Sequence, residues 1–184
     1  MLIKDGLVFC EDFDLREGNI YTELDRISEP HADAEVLDAT GCIVAPGFID
    51  IHIHGAYGTD FCDSTREAHE NIARYLASVG VTSYLGTTMA MKKPVLLNMI
   101  RVANEFMNNP IEDGAVMRGI NLEGPFAAVE KKGAMDPNNL IDPDYDLFVE
   151  LNEASEGRIK LNDVAPEKPG ALNLIERTSD VCVV

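Results

Sequence analysis

Hydrophobic and polar positions change their period along the chain. Residues 1–45 alternate over short runs between turn residues, which predicts strands at "LIKDGLVF", "GNIYTELDRI" and "AEVLDATGCIVA". After Pro46, strand-like runs alternate with runs whose apolar residues recur every three or four positions. Such alternation is typical of βα units around a parallel sheet. The pattern predicts an α/β protein in which a small β domain at 1–45 precedes an α/β domain at 46–184.

Residues 46–184 contain several sequence signals for helix starts and ends. The first helix is predicted to begin at Ser64, because Glu67 completes a capping box, and to end at Gly80. Its apolar stripe is Ala68, Ile72, Leu76 and Val79. "VTSYLGTTM" predicts the second strand of this region, and "PVLLNMIRVANEFM" predicts a second helix with Pro94 in its first turn.

The last third of the chain continues the alternation. "AVMRGINLEG" and "RIKLNDVAPE" predict strands. A helix between them is predicted with Asp142 as its cap, Pro143 in its first turn and Gly157 after its end. "GALNLIERT" predicts a further helix, and "VCVV" a fifth strand. Since a complete (β/α)8 barrel takes about 250 residues, we expect only half of one, interrupted near its fifth strand.

The run "GFIDIHIHG" carries the first candidate chemistry. Because side chains alternate across a strand, Asp50, His52 and His54 share one face, and Ile49, Ile51 and Ile53 share the other. In a barrel, the isoleucines would pack against outer helices and the histidines would face the lumen. Neutral imidazoles bind zinc or ferrous iron, and Asp50 could orient a ligand histidine. A pair of structural histidines is the alternative interpretation.

Glu123 lies at the corresponding end of the third predicted strand. In "GINLEGPF", Asn121 and Glu123 share a face, and Gly124 and Pro125 stop the strand directly after the carboxylate. A lone glutamate there would be a solvated loop residue. Beside His52 and His54, it becomes a candidate metal ligand.

Charge and composition limit the partners. The chain has 184 residues, of which 46% are hydrophobic, and its net charge of −17 disfavours nucleic acid and anionic membranes as partners. Neither a secretory leader nor a membrane span is predicted, so we expect a cytoplasmic protein. The four scattered cysteines predict free thiols, mostly buried.

Together, several stretches resemble the N-acetylglucosamine-6-phosphate deacetylases, a branch of the amidohydrolase superfamily. They are "APGFIDIHIHGAYGTDF", "GVTSYLGTTM", "GINLEGPF", "KKGAMDP" and "APEKPGAL". The resemblance implies a (β/α)8 metal-dependent hydrolase barrel with a small β-sandwich domain. It also implies removal of acetate from N-acetylglucosamine 6-phosphate to give glucosamine 6-phosphate, in amino-sugar catabolism.

The resemblance also assigns roles. Glu123 becomes the central ligand of a divalent metal, zinc or iron, and His52 and His54 become ligands of a further position that only some members fill. Ala134 lies where the backbone approaches substrate, and Met135 stands where members commonly have a histidine near the sugar. Lys131 and Lys132 either offset an incoming phosphate or form a solvated surface.

Other groups that the family needs are expected after residue 184. They include the catalytic aspartate, two later histidine ligands and the phosphate-binding residues. The family further implies a homodimer. We therefore expect the 184-residue chain alone to be inactive. The alternatives are another amidohydrolase, dihydroorotase-like or an amino-acid deacetylase, and a non-catalytic half-barrel that acts as an interaction module.

Overall fold

The computed structural model describes residues 1–24, 26–32 and 34–184. These residues form two compact units, Met1–Gly47 and Phe48–Val184. No helix in these ranges is long and apolar enough to cross a membrane.

The first unit is a small sheet. Its described strands are β1 (Leu2–Phe9), β2 (Leu15–Glu23), β3 (Arg26–Ser28), β4 (Val36–Asp38) and β5 (Ile43–Val44). The order is β3-β2-β1-β4, with β5 also on β1, and β4 and β5 run parallel to β1. Strands therefore occur in all three predicted regions, but "GNIYTELDRI" and "AEVLDATGCIVA" each include residues of two strands rather than one. Large apolar side chains such as Phe13 and Ile27 remain exposed, so this sheet has little core of its own.

The second unit is a four-stranded parallel sheet with helices. Its elements are β6 (Phe48–Ile53), β7 (Gly55–Ala56), β8 (Thr59–Asp60), α1 (Arg66–Ser78), β9 (Val81–Thr87), α2 (Lys93–Asn108), β10 (Val116–Leu122), α3 (Tyr145–Ala154), β11 (Ile159–Asn162) and α4 (Ala171–Thr178). The sheet order is β11-β10-β9-β6, and β7 and β8 form a separate hairpin. The alternation predicted after Pro46 is confirmed.

Two helix starts differ from the prediction. The cap of α1 is Thr65, whose side chain accepts from the Ala68 N–H, whereas Ser64 caps the end of the preceding 3-10 turn with φ 53°. The cap of α3 is Asp144 rather than Asp142. At α1, Ser64 is left-handed and Thr65 is extended, the backbone conformation that a helix cap needs. Because α3 begins at Tyr145, Pro143 precedes the helix and does not lie in its first turn.

The helix faces follow the apolar stripes. Ala68, Ile72 and Leu76 are buried, but Val79 is 50% exposed because it is the residue after the last turn of α1. Pro94 occupies the first turn of α2, as predicted. The helix α3 ends at Ala154, before Gly157.

The chain end forms less structure than predicted. Val183 makes a single parallel bridge with Leu161, and no strand is assigned over "VCVV". Two hydrogen bonds support the bridge, from Asn162 N–H to Val183 O and from Val183 N–H to Lys160 O. The segment therefore continues the sheet beside β11 over only one residue pair.

The isoleucine face of β6 is also only partly covered. Ile53 packs against the core, but Ile49 and Ile51 are 72% and 54% exposed. The prediction that all three pack against helices is wrong for these two. The reason is that β6 is the last strand in the sheet order, whereas α1 packs on β9 and α2 packs on β10.

The core between sheet and helices contains one buried histidine. His69 of α1 is fully buried, with its ring 5.0 Å from that of Phe61 and 5.5 Å from that of Phe106. Neither ring nitrogen has a hydrogen-bond partner. Burial lowers the pKa of His69 to about 4, so the imidazole is neutral in the folded protein.

The cysteines are free, as predicted, but they are not mostly buried. Only Cys182 is buried, Cys10 and Cys62 are half-buried, and Cys42 is exposed. Burial, with a further contribution from Asp60, raises the pKa of the Cys62 thiol to about 12. Cys62 therefore stays protonated and is not a nucleophile.

Candidate metal centre

Strand β6 and its continuation carry the two histidines. The Ile53 N–H donates to the buried Thr87 Oγ1 at 3.0 Å, and the His54 carbonyl accepts from the Phe61 N–H at 2.6 Å. Gly55 permits the tight hairpin that follows, because a Cβ there would lie 2.2 Å from the Thr59 carbonyl oxygen. The main chain around both imidazoles is therefore held on both sides.

Glu123 is held at the end of β10. Its carbonyl oxygen accepts from the Thr88 hydroxyl at 3.5 Å, and Gly124 follows with φ 68°. The Gly124–Pro125 peptide bond is cis. The turn keeps the carboxylate at the carboxyl end of a parallel strand, the edge at which α/β proteins bind ligands.

The three side chains converge on one point. Glu123 Oε2 lies 2.8 Å from His54 Nε2 and 3.6 Å from His52 Nε2, and the two Nε2 atoms are 3.3 Å apart. Ligands about 2.0 to 2.1 Å from a tetrahedral zinc ion are roughly 3.3 to 3.4 Å from one another. The structure thus brings together the three residues that the sequence proposed as metal ligands.

The donor chemistry also suits a cation. Glu123 Oε2 is buried, and its close approach to His54 lacks hydrogen-bond geometry, so this oxygen has no hydrogen-bond donor. A buried carboxylate oxygen without a donor is costly, and a divalent cation between the three side chains would satisfy it. Two imidazoles and one carboxylate are a common ligand set of catalytic zinc.

The structure gives Asp50 a different contact from the predicted one. Its Oδ1 accepts from the main-chain N–H of His52 at 2.9 Å. The ring of His52 instead meets Asn121, whose Nδ2 lies 3.1 Å from His52 Nδ1. The alternation of β10 placed Asn121 on the face of Glu123, but it could not show which histidine the amide contacts.

A cavity of about 480 Å³ adjoins the three side chains. It is lined by His54, Asp60, Met89, Glu123, Gly124, Ala127, Lys131, Lys132, Gly133, Ala134, Met135 and Asp163. Ala134 is exposed and Met135 is buried, and both candidates from the "KKGAMDP" stretch therefore border the same space as Glu123.

The two lysines beside the cavity have different surroundings. Lys132 Nζ donates to the carbonyl oxygens of Met135 at 2.9 Å and Gly133 at 3.4 Å, so it stabilises its own loop. Lys131 is exposed at the cavity margin. Lys131 is therefore the freer of the two to meet an anionic ligand.

Asp60 and Asp163 are cavity residues that the sequence analysis did not select. The Asp163 N–H donates to the Leu122 carbonyl at 3.1 Å, which extends the β10–β11 pairing and sets Asp163 beside Glu123. Burial and the charge of Glu123 raise the pKa of Asp163. The sequence signal that could have identified Asp163 is its position directly after a strand of a parallel sheet.

The glycine after Glu123 provides a test of the local fold. A Cβ at Gly124 would lie 2.9 Å from Ala90 Cβ and 3.3 Å from Met135 Sδ, and its φ is 68°. We expect Gly124→Ala to lower the free energy of unfolding by about 1 to 3 kcal/mol, measured by urea denaturation.

Gly133 supplies the matched control for that substitution. Its φ is 56°, but nothing lies within 4 Å of an added Cβ. Gly133→Ala should therefore cost only the backbone part. Equal losses in the two variants would show that crowding against Ala90 contributes nothing.

Known proteins resemble the chain over its whole length. It is 31% identical to the N-acetylglucosamine-6-phosphate deacetylase of Bacillus subtilis over 100% of this chain and 46% of the relative. The human enzyme of the same name is 32% identical over 82% of this chain and 37% of the relative. No protein-family model matches.

Solved structures give the same result. An N-acetyl-D-glucosamine-6-phosphate deacetylase from Mycobacterium smegmatis, solved in complex with N-acetyl-D-glucosamine-6-phosphate, has a TM-score of 0.85 at 27% identity. That match covers 100% of this chain and 48% of the other. The Thermotoga maritima enzyme has a TM-score of 0.80 at 25% identity and is covered to 47%.

Sequence, fold and the clustered histidines and glutamate agree. The chain spans 37 to 48% of the length of these relatives and structures. Within that span, it is similar to the N-acetylglucosamine-6-phosphate deacetylases.

Proposed function

We propose that this chain supplies the metal-binding side of an active site that hydrolyses N-acetylglucosamine 6-phosphate to glucosamine 6-phosphate and acetate. The observation that carries the proposal is the convergence of His52, His54 and Glu123 beside a cavity of about 480 Å³. Relatives named for this reaction match the whole chain. The reaction is an amide hydrolysis, in which water gives its oxygen to the acetyl group and a proton to the amine.

The ligand set favours zinc or ferrous iron. His52 and His54 offer neutral nitrogens and Glu123 offers a carboxylate oxygen, a mixture typical of these ions rather than of calcium or magnesium. A bound divalent ion lowers the pKa of water toward about 7 and polarises a carbonyl.

The loop after β10 would form the substrate wall. The thioether of Met135 is buried next to Gly124, so it offers an apolar surface that suits an acetamide methyl or a sugar face. It accepts hydrogen bonds only weakly, unlike a histidine. Ala134 is exposed at the rim, where its backbone is available to the sugar.

Charge places the phosphate away from the carboxylates. Asp60, Glu123 and Asp163 line the cavity and would repel a phosphate near the ligand cluster. Lys131 is exposed on the same cavity and would offset part of the phosphate charge. We therefore expect the acetamide end of the substrate, not the phosphate, to point toward Glu123.

The proposed whole enzyme extends both units. We propose that β6, β9, β10 and β11 are the first strands of a (β/α)8 barrel, since they are parallel and consecutive in order. The sheet at residues 1–45 would be part of a β-sandwich, with its exposed apolar side chains under a second sheet. The catalytic aspartate, a homodimer and a cytoplasmic location stay predictions from the family.

Two alternative functions differ from this proposal, one in the reaction catalysed and one in having no catalytic activity. Another amidohydrolase would share the histidines but not the preference for an acetylated aminosugar. A non-catalytic half-barrel would bind a partner through the exposed residues of β6. Sugar binding distinguishes the proposal from another amidohydrolase, and metal binding distinguishes it from a non-catalytic half-barrel.

The test uses the purified chain with zinc. We expect binding of about one ion by calorimetry, no acetate release, and ligand-observed NMR contacts to N-acetylglucosamine 6-phosphate. Glucose 6-phosphate is the matched ligand, since it keeps the phosphate and lacks the acetamide. Equal binding of both sugars would contradict the substrate assignment, and absence of zinc binding would contradict the metal site. Acetate release that disappears in Glu123→Gln would show that the chain is catalytically complete.

A further inference from the structure

Asn121 lies on strand β10, next to the Nδ1 atom of the His52 ring. The side chain is only 1% exposed and shares the strand face of Glu123. Its side chain is a neutral amide close to three candidate metal ligands, and it is shielded from bulk solvent. Its contribution must come from the atoms that it touches.

Only the nitrogen of the Asn121 amide has hydrogen-bond partners. Its Nδ2 lies 3.1 Å from His52 Nδ1 and 3.4 Å from the Ile51 carbonyl oxygen. Its Oδ1 is buried without a hydrogen-bond partner. A buried amide oxygen left unpaired is unfavourable, so another arrangement that pairs it would be competitive.

The orientation of this amide determines where the His52 ring carries its proton. When Asn121 Nδ2 donates to Nδ1, a neutral ring has its hydrogen on Nε2. Nε2 is the atom that faces His54 and Glu123, at 3.3 and 3.6 Å. A nitrogen that carries hydrogen has no lone pair for a metal ion.

A half-turn of the amide reverses this assignment. Oδ1 would then lie beside Nδ1 and accept its hydrogen, which pairs the unsatisfied oxygen and frees the lone pair of Nε2. The turn replaces the hydrogen bond from Nδ2 to Nδ1 with one from Nδ1–H to Oδ1, gives up the long contact to the Ile51 carbonyl, at 3.4 Å, and moves the unpaired position of the amide from Oδ1 to Nδ2. Asp50 does not compete for this role, because its Oδ1 accepts from the His52 main chain.

We propose that Asn121 is a positioning residue that selects the His52 tautomer, and that its amide turns by 180° when the site takes a metal ion. The inference rests on the metal site of the proposed function. It adds a residue of this chain that controls whether His52 can be a ligand. Outer contacts of this kind change metal affinity by roughly 10- to 100-fold.

The test combines zinc affinity with the tautomer of His52. Asn121→Leu removes both amide atoms, and we expect it to bind zinc roughly 10- to 100-fold more weakly in competition with a chelator. Asn121→Asp keeps only acceptors and should bind within a few-fold of the unaltered chain. Asn162→Leu is the matched control, because Asn162 is fully buried with both amide atoms unpaired, and it pairs with Leu122. Its zinc affinity should not change.

The second readout is long-range proton–nitrogen NMR of the His52 ring at about pH 8.5, above the ordinary imidazole range. Without zinc, we expect the hydrogen on Nε2 in the unaltered chain and on Nδ1 in Asn121→Asp. With zinc, it should lie on Nδ1 in both. This comparison needs neither catalysis nor a stable Leu variant.

The outcomes separate the inference from the proposed function. Zinc affinity of Asn121→Leu equal to that of the unaltered chain would overturn the role of Asn121 and leave the metal site standing. The same tautomer in metal-free Asn121→Asp and the unaltered chain would also overturn it. If the unaltered chain binds no zinc, the metal site fails, and the role of Asn121 as its positioning residue fails with it.

Discussion

Glu123→Gln is expected to lower zinc affinity by at least about 100-fold, more than the loss of an outer contact. The carboxylate oxygen Oε2 lies 2.8 and 3.6 Å from the two imidazole nitrogens, so the charge of Glu123 is at the point of convergence. A glutamine has the same shape but carries no charge, and its amide oxygen is a weaker ligand.

The same substitution should leave the metal-free fold almost unchanged. Glutamine is isosteric, and Glu123 Oε2 has no hydrogen bond to lose. We expect the free energy of unfolding without metal to stay within about 1 kcal/mol. Zinc at 100 times its dissociation constant stabilises the unaltered chain by about 2.7 kcal/mol, and at the same concentration this gain should fall to about 0.4 kcal/mol or less in the variant.

Thermal unfolding with and without zinc measures both effects. Glu167→Gln is the control, since it removes the same charge from the loop after β11, from an exposed residue that does not border the ligand cavity. That control should keep the full zinc-dependent shift. A Glu123→Gln chain that keeps the shift would show that zinc binds elsewhere.

His69 should give the chain a pH-dependent stability below neutrality. The pKa of His69 falls from 6.5 to about 4 on folding because the ring is buried. Between these values the unfolded chain binds a proton that the folded chain does not, so stability falls as the pH falls. The loss at pH 4 should be about 3 kcal/mol relative to pH 7.5.

Replacing the ring isolates this contribution. His69→Phe keeps an aromatic ring between Phe61 and Phe106 and removes two unpaired nitrogens. We expect the variant to be at least as stable at pH 7.5 and to lose about 3 kcal/mol less on acidification. Urea denaturation at a series of pH values compares the two chains, and the carboxylates that titrate in both cancel.

A second replacement guards against overpacking. If phenylalanine is too large for the site, His69→Leu provides the smaller apolar alternative. Parallel pH profiles for the unaltered chain and whichever variant folds would mean that His69 is paired or hydrated in solution.

Strand alternation predicted the ligand cluster well. The period of two in "GFIDIHIHG" and "GINLEGPF" placed His52, His54 and Glu123 toward one side, and parallel strands brought their ends together. The roles of these residues stay a proposal. What alternation could not give is the pairing between strands, and for that reason the contact of Asn121 with His52 was missed.

Helix-capping signals in the sequence were less reliable where two nearby residues could both cap the same helix. Ser64 and Thr65 are alternative caps of α1, and their backbone conformations decide between them. Asp142 and Asp144 are alternatives at α3, where the Asp144 side chain accepts from the first N–H groups of the helix. The exposure of Ile49 and Ile51 had a different cause. An isoleucine-rich strand face predicts burial, but the sequence does not state which strand ends the sheet.

The exposed face of β6 has a practical consequence for handling the protein. Ile49 and Ile51 form an exposed apolar strip on this face of the last strand of the sheet, and a net charge of −17 keeps copies of the chain apart. Salt screens that repulsion, and acid near the isoelectric point of about 4.4 removes it. Dilute buffer at mildly alkaline pH is therefore the condition in which the chain should remain dispersed.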